Sequence, residues 1–323
     1  MKPISLSLAL VLSMGLAAKA DTISIHVGYA PGGSFDLVSR LVADHLGAFL
    51  PGNPEVIVEN VPGAGSLKVA KMLMADPATD GMVLGSVNPA LALLPILDPE
   101  NTDFDPTKAH YIATMSQESS YCITPKSTGI ETFDQFLQSG AKVGATGKAS
   151  STYSYPAAIK TAFGANIEIV TGFEGSAEID LAMERGDLQG RCGITAANLV
   201  EADMLTRYTV LGEIGTTPST VGPKTEFILD KVTDPATKAA LTLIFSAADI
   251  HHPFIVAPAT SPERVAELRA AFDAMVADPG FQEDAKTRGY LVGYRPGAEV
   301  DAMIAGLLAT DPAVKDLAHQ MVQ

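Results

Sequence analysis

From residue 23 onward the chain repeats one unit: a short apolar run of strand length, a Gly- or Pro-rich turn, then a helical stripe. Residues 23–30 read as a strand ending in Pro31, Gly32 and Gly33. Leu37, Val38, Leu41, Val42, Leu46 and Phe49 then recur at three- and four-residue steps, which puts them on one helical face with Ser34 as the N-cap. Residues 55–59 form a second strand, Gly63-Ala64-Gly65 opens a second helix, and 82–87 is a third strand. This order predicts an α/β fold whose mainly parallel sheet is covered by helices on both faces.

A second series of units begins near residue 121. Strands are expected at 121–124, 142–145, 167–171, 191–195 and 208–212, with helices at 151–163 and 177–185 between them. A last strand at 253–257 precedes a helix in which Val265, Leu268, Phe272, Met275 and Val276 share a face, closed by Asp278-Pro279-Gly280. A final helix starts after Pro296-Gly297, and the Pro-rich stretch 95–106 reads as a long surface loop.

The first twenty residues stand apart. Lys2 is a short positive region, 4–18 an apolar core, and Ala18-Lys19-Ala20 places small residues where a signal peptidase reads. The apolar run falls short of the roughly 20 residues a spanning helix needs. Residues 1–20 are therefore expected to be a signal peptide cleaved after Ala20, which places the protein in the periplasm. The remaining residues suit two lobes better than one core. Without Lys2 and Lys19 the chain carries 20 basic against 37 acidic residues, a net charge of −17. That surface argues against nucleic acid and against anionic membranes, so an anion site must be built locally.

Local anion sites are legible. A helix N-terminus offers free N–H groups and the positive end of a dipole. Gly32, Gly33 and Ser34 stand just before one helix; Thr146, Gly147, Ser150, Ser151 and Thr152 stand before another. With parallel strands, both loops lie at the carboxyl ends of their sheets, where open α/β sheets bind ligands. Each loop also has a purely structural reading, as a tight turn or as an N-cap cluster. Ser66 and Asn88, each after a strand, are candidate polar contacts. Thr195 and Asn198 could line the cleft, and Phe173 could cover the ligand or pack in the core. Asp36 is expected to brace its loop. Arg191 could pair with a ligand carboxylate, but pairing with Glu184 or Asp187 is the expectation.

Enzyme chemistry finds little support. There is no Gly-x-Ser-x-Gly elbow. Gly147-Lys148 is followed by Ala149, not by the Ser or Thr of a phosphate loop, and Gly63-Ala64-Gly65 lacks a third glycine. The six histidines are scattered, and His251 and His252, adjacent on a strand, should point apart. No metal and no cofactor is expected. Cys122 and Cys192 are the only cysteines. They could form a disulfide in an oxidising compartment or remain two buried thiols.

The motifs also resemble a known family. Ala30-Pro31-Gly32-Gly33-Ser34-Phe35-Asp36 with Arg40, Glu59 to Gly65, Asp80-Gly81 with Val83-Leu84-Gly85, Thr171 to Gly175, Asp180 to Gly190, Val256-Ala257-Pro258 and Ala277-Asp278-Pro279 occur in the order seen in the periplasmic receptors of tripartite tricarboxylate transporters, the Bug or TctC-like family. Val61, Leu67 and Phe173 depart from the usual pattern, which bears on the ligand more than on the fold. The resemblance implies a type II periplasmic-binding-protein fold with a ligand cleft between two lobes: 21–120 in lobe one, 121–250 in lobe two, and 251–323 returning to lobe one. It implies a monomeric, non-enzymatic receptor that closes on a small organic carboxylate and delivers it to transporter membrane subunits. A receptor feeding a membrane sensor kinase would need the same site, and an exported enzyme on this fold is the third possibility.

Overall fold

A computed structural model describes residues 22–100, 103–201 and 204–323. The expected signal peptide lies outside the described residues. The strands are β1 (Thr22–Val27), β2 (Glu55–Asn60), β3 (Val83–Ser86), β4 (His110–Ser116), β5 (Ser120–Pro125), β6 (Lys142–Gly144), β7 (Glu168–Val170), β8 (Arg191–Thr195), β9 (Tyr208–Ile214), β10 (His251–Val256) and β11 (Arg295–Pro296).

The first lobe is built on a six-stranded sheet in the order β11-β4-β10-β3-β1-β2. β1 pairs parallel with β2 and β3, whereas β10 enters antiparallel between β3 and β4. In the second lobe β5 runs antiparallel between β8 and β9, and β6 pairs parallel with β7. A single bridge, Val143 to Gly190, carries that parallel pair onto the start of β8. Both lobes are thus parallel-rich sheets flanked by helices, each with one reversed central strand. Those two strands, β10 and β5, are buried at every position.

Periodicity and burial agree where the chain is amphipathic. On β1, Ile23, Ile25 and Val27 are fully buried while Ser24 and His26 are half-buried. The helix Ser34–Leu46 lays Phe35, Val38, Leu41, Val42 and Leu46 on that buried face. Each such side chain contributes on the order of 1.5–3 kcal/mol relative to exposure.

Two expectations need correction. The stretch 95–106 is not wholly a surface loop, because the helix Leu94–Leu97 sends Ile96 and Leu97 into the second lobe's core. Nor does the chain after β10 stay on the first sheet. After the helix Gly297–Leu308 a further helix, Pro312–Met321, buries Ala318 and Met321 in the second core. There Thr161 donates to the Met321 carbonyl at 3.0 Å and His319 meets the Leu97 carbonyl at 3.2 Å. The C-terminus therefore straps one lobe to the other. Cys122 and Cys192, register partners on β5 and β8, form a disulfide.

Candidate functional site

Helix starts in this chain differ in how their first N–H groups are met. Four helices open on a capping Asp or Ser followed by Pro: Asp234-Pro235, Ser261-Pro262, Asp278-Pro279 and Asp311-Pro312. In each, the side-chain oxygen takes up a free backbone N–H, as an N-cap should. Among those without a bond from the cap residue's side chain are Ser34–Leu46 after Gly33, Ser151–Phe163 after Ser150, and Ser176–Glu184 after Gly175. These three come from both lobes, and their first residues meet at one chamber.

Its lining includes Gly33, Ser34 and Phe35 from the first helix start, Ser151 and Thr152 from the second, and Ser176 from the third. Tyr29, Asn88, Thr146, Arg191, Asn198 and His251 complete its polar wall. The open volume of the chamber is about 30 Å³, too small for an organic acid. Admitting an organic acid therefore requires the lobes to separate or the side chains to move.

The lobes are latched around this space. Asn88, 2% exposed, accepts the Ser151 N–H at 3.0 Å and donates to the Tyr29 hydroxyl at 2.8 Å and to Ser151 Oγ at 3.4 Å. It also caps its own turn through the Ala90 N–H, and its backbone N–H donates to Ser66 Oγ at 2.7 Å. Burial, opposed by the Asn88 contact, pushes the Tyr29 hydroxyl up to about 12 and so keeps it neutral. At the rim the Ala30 N–H donates to the Glu174 carbonyl at 2.9 Å, joining the two lobes again. Backbone meets backbone between the loops at Gly65 and Gly147. A Cβ on Gly147 would stand 2.8 Å from the carbonyl carbon of Ala64 and from the nitrogen of Gly65. Ala64, Gly65 and Ser66 all have positive φ, at 50°, 64° and 73°. Two of the three are not glycine, a concentration of backbone strain typical of a ligand loop.

Charge inside the chamber is sparse. Arg191, 4% exposed, pairs with Asp180, with Nε 2.7 Å from Oδ1 and Nη2 donating to Oδ2 at 3.1 Å. The expected partners were Glu184 and Asp187, but Glu184 pairs with Arg207. Asp180 lies one helical turn earlier, on the helix Ser176–Glu184 that packs on β5 beside β8. Its burial raises the carboxyl above its usual range, and Arg191 works against that rise. Asp36 braces the first loop as expected. It accepts the Gly32 N–H at 2.9 Å, Arg40 at 2.9 and 3.1 Å, and Asn60 at 2.9 Å. Burial opposes its ionisation, yet those donors hold it below the usual carboxylate range.

Of the residues read from sequence, Gly33, Ser34, Asn88, Ser151 and Thr152 line the chamber. Gly32, Ser66, Gly147, Ser150, Phe173 and Thr195 do not. Gly32 is an exposed turn residue whose N–H is held by Asp36. Ser66 supports Asn88, and Gly147 forms the interlobe backbone contact. Ser150 bonds Thr146 and Thr152 at 2.9 and 2.6 Å. Phe173 packs on the second lobe's core, and Thr195 donates to Asn198 at 2.8 Å, leaving Asn198 on the lining. Sequence reasoning did not single out Tyr29, Phe35, Ser176 or His251 as site residues. Ser176 was legible, because Gly175-Ser176 repeats the Gly-Ser helix start of Gly33-Ser34.

His251 and His252 do not point apart. His252 has φ 53°, which breaks the alternation, and the two rings sit edge to face with centroids 4.4 Å apart. Among the described residues no group of three or more His, Cys, Asp or Glu is placed to hold a metal ion, and no helix is long and apolar enough to cross a membrane.

No family model matches the chain. A curated protein of Cupriavidus necator, described as a UPF0065 protein in the gbd 5' region, is 35% identical over 140 residues, 40% of this chain and 41% of that protein. The match thus spans about two fifths of the relative's length. Among solved structures, the periplasmic binding protein BugD is similar with a TM-score of 0.74 at 16% identity, over 93% of this chain and 97% of that one. MatC from Rhodopseudomonas palustris, with bound malate, is similar with a TM-score of 0.73 at 17% identity, over 94% and 99%. At such identities the structural likeness is one of fold. The resemblance to Bug-type receptors read from the motifs is borne out, and the fold is that of a two-lobed periplasmic binding protein.

Proposed function

We propose that this chain is a periplasmic solute receptor, not an enzyme, that closes on a small organic carboxylate and hands it to a tripartite tricarboxylate-type membrane transporter. One observation carries the reading: three helix N-termini from two lobes, none bonded by the side chain of its own cap residue, open onto one chamber that also holds Arg191. Backbone N–H groups at the positive ends of helix dipoles are donors suited to a carboxylate, although that of Ser151 is already accepted by Asn88. Malate in a structure of similar fold is consistent with that chemistry.

In this reading the chain crosses between the lobes three times, at 117–119 between β4 and β5, at 215–250 between β9 and β10, and at 309–311 ahead of the helix Pro312–Met321. Rotation about these crossings opens the chamber, and the Asn88–Ser151 contact closes it. Candidate ligand contacts are Gly33, Ser34, Asn88, Ser151, Thr152, Ser176 and Arg191. Ser66, Gly147, Ser150 and Thr195 hold those contacts in place.

The test is a thermal-shift screen over mono-, di- and tricarboxylates and aromatic acids, on protein freed of carried-over ligand by unfolding and refolding. A ligand at 100 times its Kd adds about 2.7 kcal/mol of stability. A screen in which no organic acid shifts the transition would sink the reading. Delivery is tested separately: cross-linking in intact cells should capture a membrane subunit of a tripartite transporter.

A further inference from the structure

We infer that His251 forms a neutral hydrogen-bonding wall of the chamber, and that the preferred ligand is a monocarboxylate bearing a second, uncharged oxygen group, a hydroxyl or an oxo, in preference to a dicarboxylate. The inference rests on the receptor reading above and names the substrate class of that same site.

His251 is 2% exposed, lines the chamber, and has an Nδ1 with no hydrogen-bond partner. Buried polar atoms are ordinarily satisfied, so an orphaned nitrogen on a residue that lines the chamber is one a ligand atom can pair with once the lobes part. The ring is held firmly. Phe35 stacks on it at 5.7 Å, His252 abuts it at 4.4 Å, and its backbone carbonyl accepts the Thr114 hydroxyl. His252 in turn meets the Tyr290 hydroxyl at 3.2 Å. Burial lowers His251 to about 4, and burial with the neighbouring His251 holds His252 well below its ordinary value, so both rings are neutral near pH 7. In a neutral imidazole Nδ1 carries either an N–H or a lone pair; a hydroxyl can pair with either, whereas an oxo or a carboxylate oxygen can pair only with the N–H.

Charge decides against a second carboxylate. Among the described lining residues Arg191 is the one charged side chain, and Asp180 already neutralises it. Lys148, on the adjacent loop, is exposed and is not part of the lining. The three helix starts can compensate one carboxylate. A second carboxylate facing His251 would be buried without a counter-charge.

Isothermal titration at pH 7.5 with chain-matched pairs tests this: 3-hydroxypropionate against malonate, 4-hydroxybutyrate against succinate, and 6-hydroxyhexanoate against adipate. In wild-type protein the hydroxy acid should bind about tenfold or more tighter in the pair of fitting length, equivalent to about 1.4 kcal/mol. His251→Phe, which keeps a ring against Phe35, should erase that preference, and His251→Gln should keep part of it. A diacid that binds as well as its hydroxy acid overturns the inference, and so does a preference unchanged in His251→Phe. If the Phe variant does not fold, the wild-type pairs alone decide. Failure of all six probes also overturns it, whereas the receptor reading falls only if the wider acid screen is blank as well.

Discussion

Asn88, in the turn after β3, accepts the backbone N–H of Ser151 across the two lobes at 3.0 Å and donates to the Tyr29 hydroxyl of its own lobe at 2.8 Å. One amide thus joins the first sheet's loop to a helix start in the second lobe. Asn88→Ala should remove the latch, leave the Ser151 N–H unpaired and weaken acid binding about tenfold or more. It also removes the cap on Ala90, so about 1 kcal/mol of stability should go with it. Titration calorimetry and denaturation without ligand separate the two effects.

Gly147 has negative φ, so alanine there brings no backbone strain, only a Cβ at 2.8 Å from the facing loop. Gly147→Ala should leave the unfolding transition nearly unchanged while wedging the lobes apart. Small-angle scattering should then show that saturating ligand no longer compacts the protein. Full compaction in the variant would contradict the interlobe contact.

Removing one partner of a buried ion pair is costly because the other charge is stranded. Arg191→Met should therefore destabilise the protein by about 3–5 kcal/mol and abolish acid binding. The double variant Arg191→Met with Asp180→Leu should recover most of the stability without recovering binding. Urea melts and calorimetry on the three proteins check this. Recovered binding would remove Arg191 from the site.

Asp36 has a depressed folded pKa, and that fixes the sign of its pH dependence. Its contribution is complete above the unfolded carboxyl value of about 3.9 and is lost as pH falls through the lower folded value. Asp36→Asn should cost about 2 kcal/mol at pH 7, with the gap to wild type narrowing as pH falls below about 4. Denaturant melts at several pH values measure it; a gap constant with pH would contradict the ionised bracing role.

The disulfide closes a sequence separation of 70 residues within one lobe. Replacing Cys122 and Cys192 together by alanine should cost roughly 4 kcal/mol if the unfolded chain's entropy dominates. Both cysteines are fully buried and absent from the chamber lining, so acid affinity should stay within about twofold of wild type. A large loss of affinity would mean that the β5–β8 pairing positions the ligand as well as the lobe.

Much of this architecture was legible before any coordinates. The period of the apolar residues marked the helix at 34–46, and Gly or Ser before a helix marked two of the three uncapped starts. The third, Gly175-Ser176, carried the same signal. Local chemistry also read correctly at Asp36, whose partners Gly32 and Arg40 lie within four residues. The pattern misled at His252, where strand alternation forbids the positive φ that turns its ring toward His251. It also misled at Arg191, where Glu184 and Asp187 were as reasonable as Asp180 until the Ser176–Glu184 helix was packed on β5, next to β8.

The sequence by itself determined the elements, their α/β order and the loops free to accept an anion, because helix and strand periods, turns and caps are set by residues a few positions apart. The tertiary structure alone decided which loops share a chamber. Residues 33, 88, 151, 176, 191 and 251 meet there only because the chain crosses between two lobes whose loops face one chamber. Such contacts join residues tens to hundreds of positions apart, and no local preference records them. The orphaned Nδ1 of His251 and the neutralised Arg191 belong to that second class, and they are what turn a carboxylate-binding fold into a claim about which carboxylate.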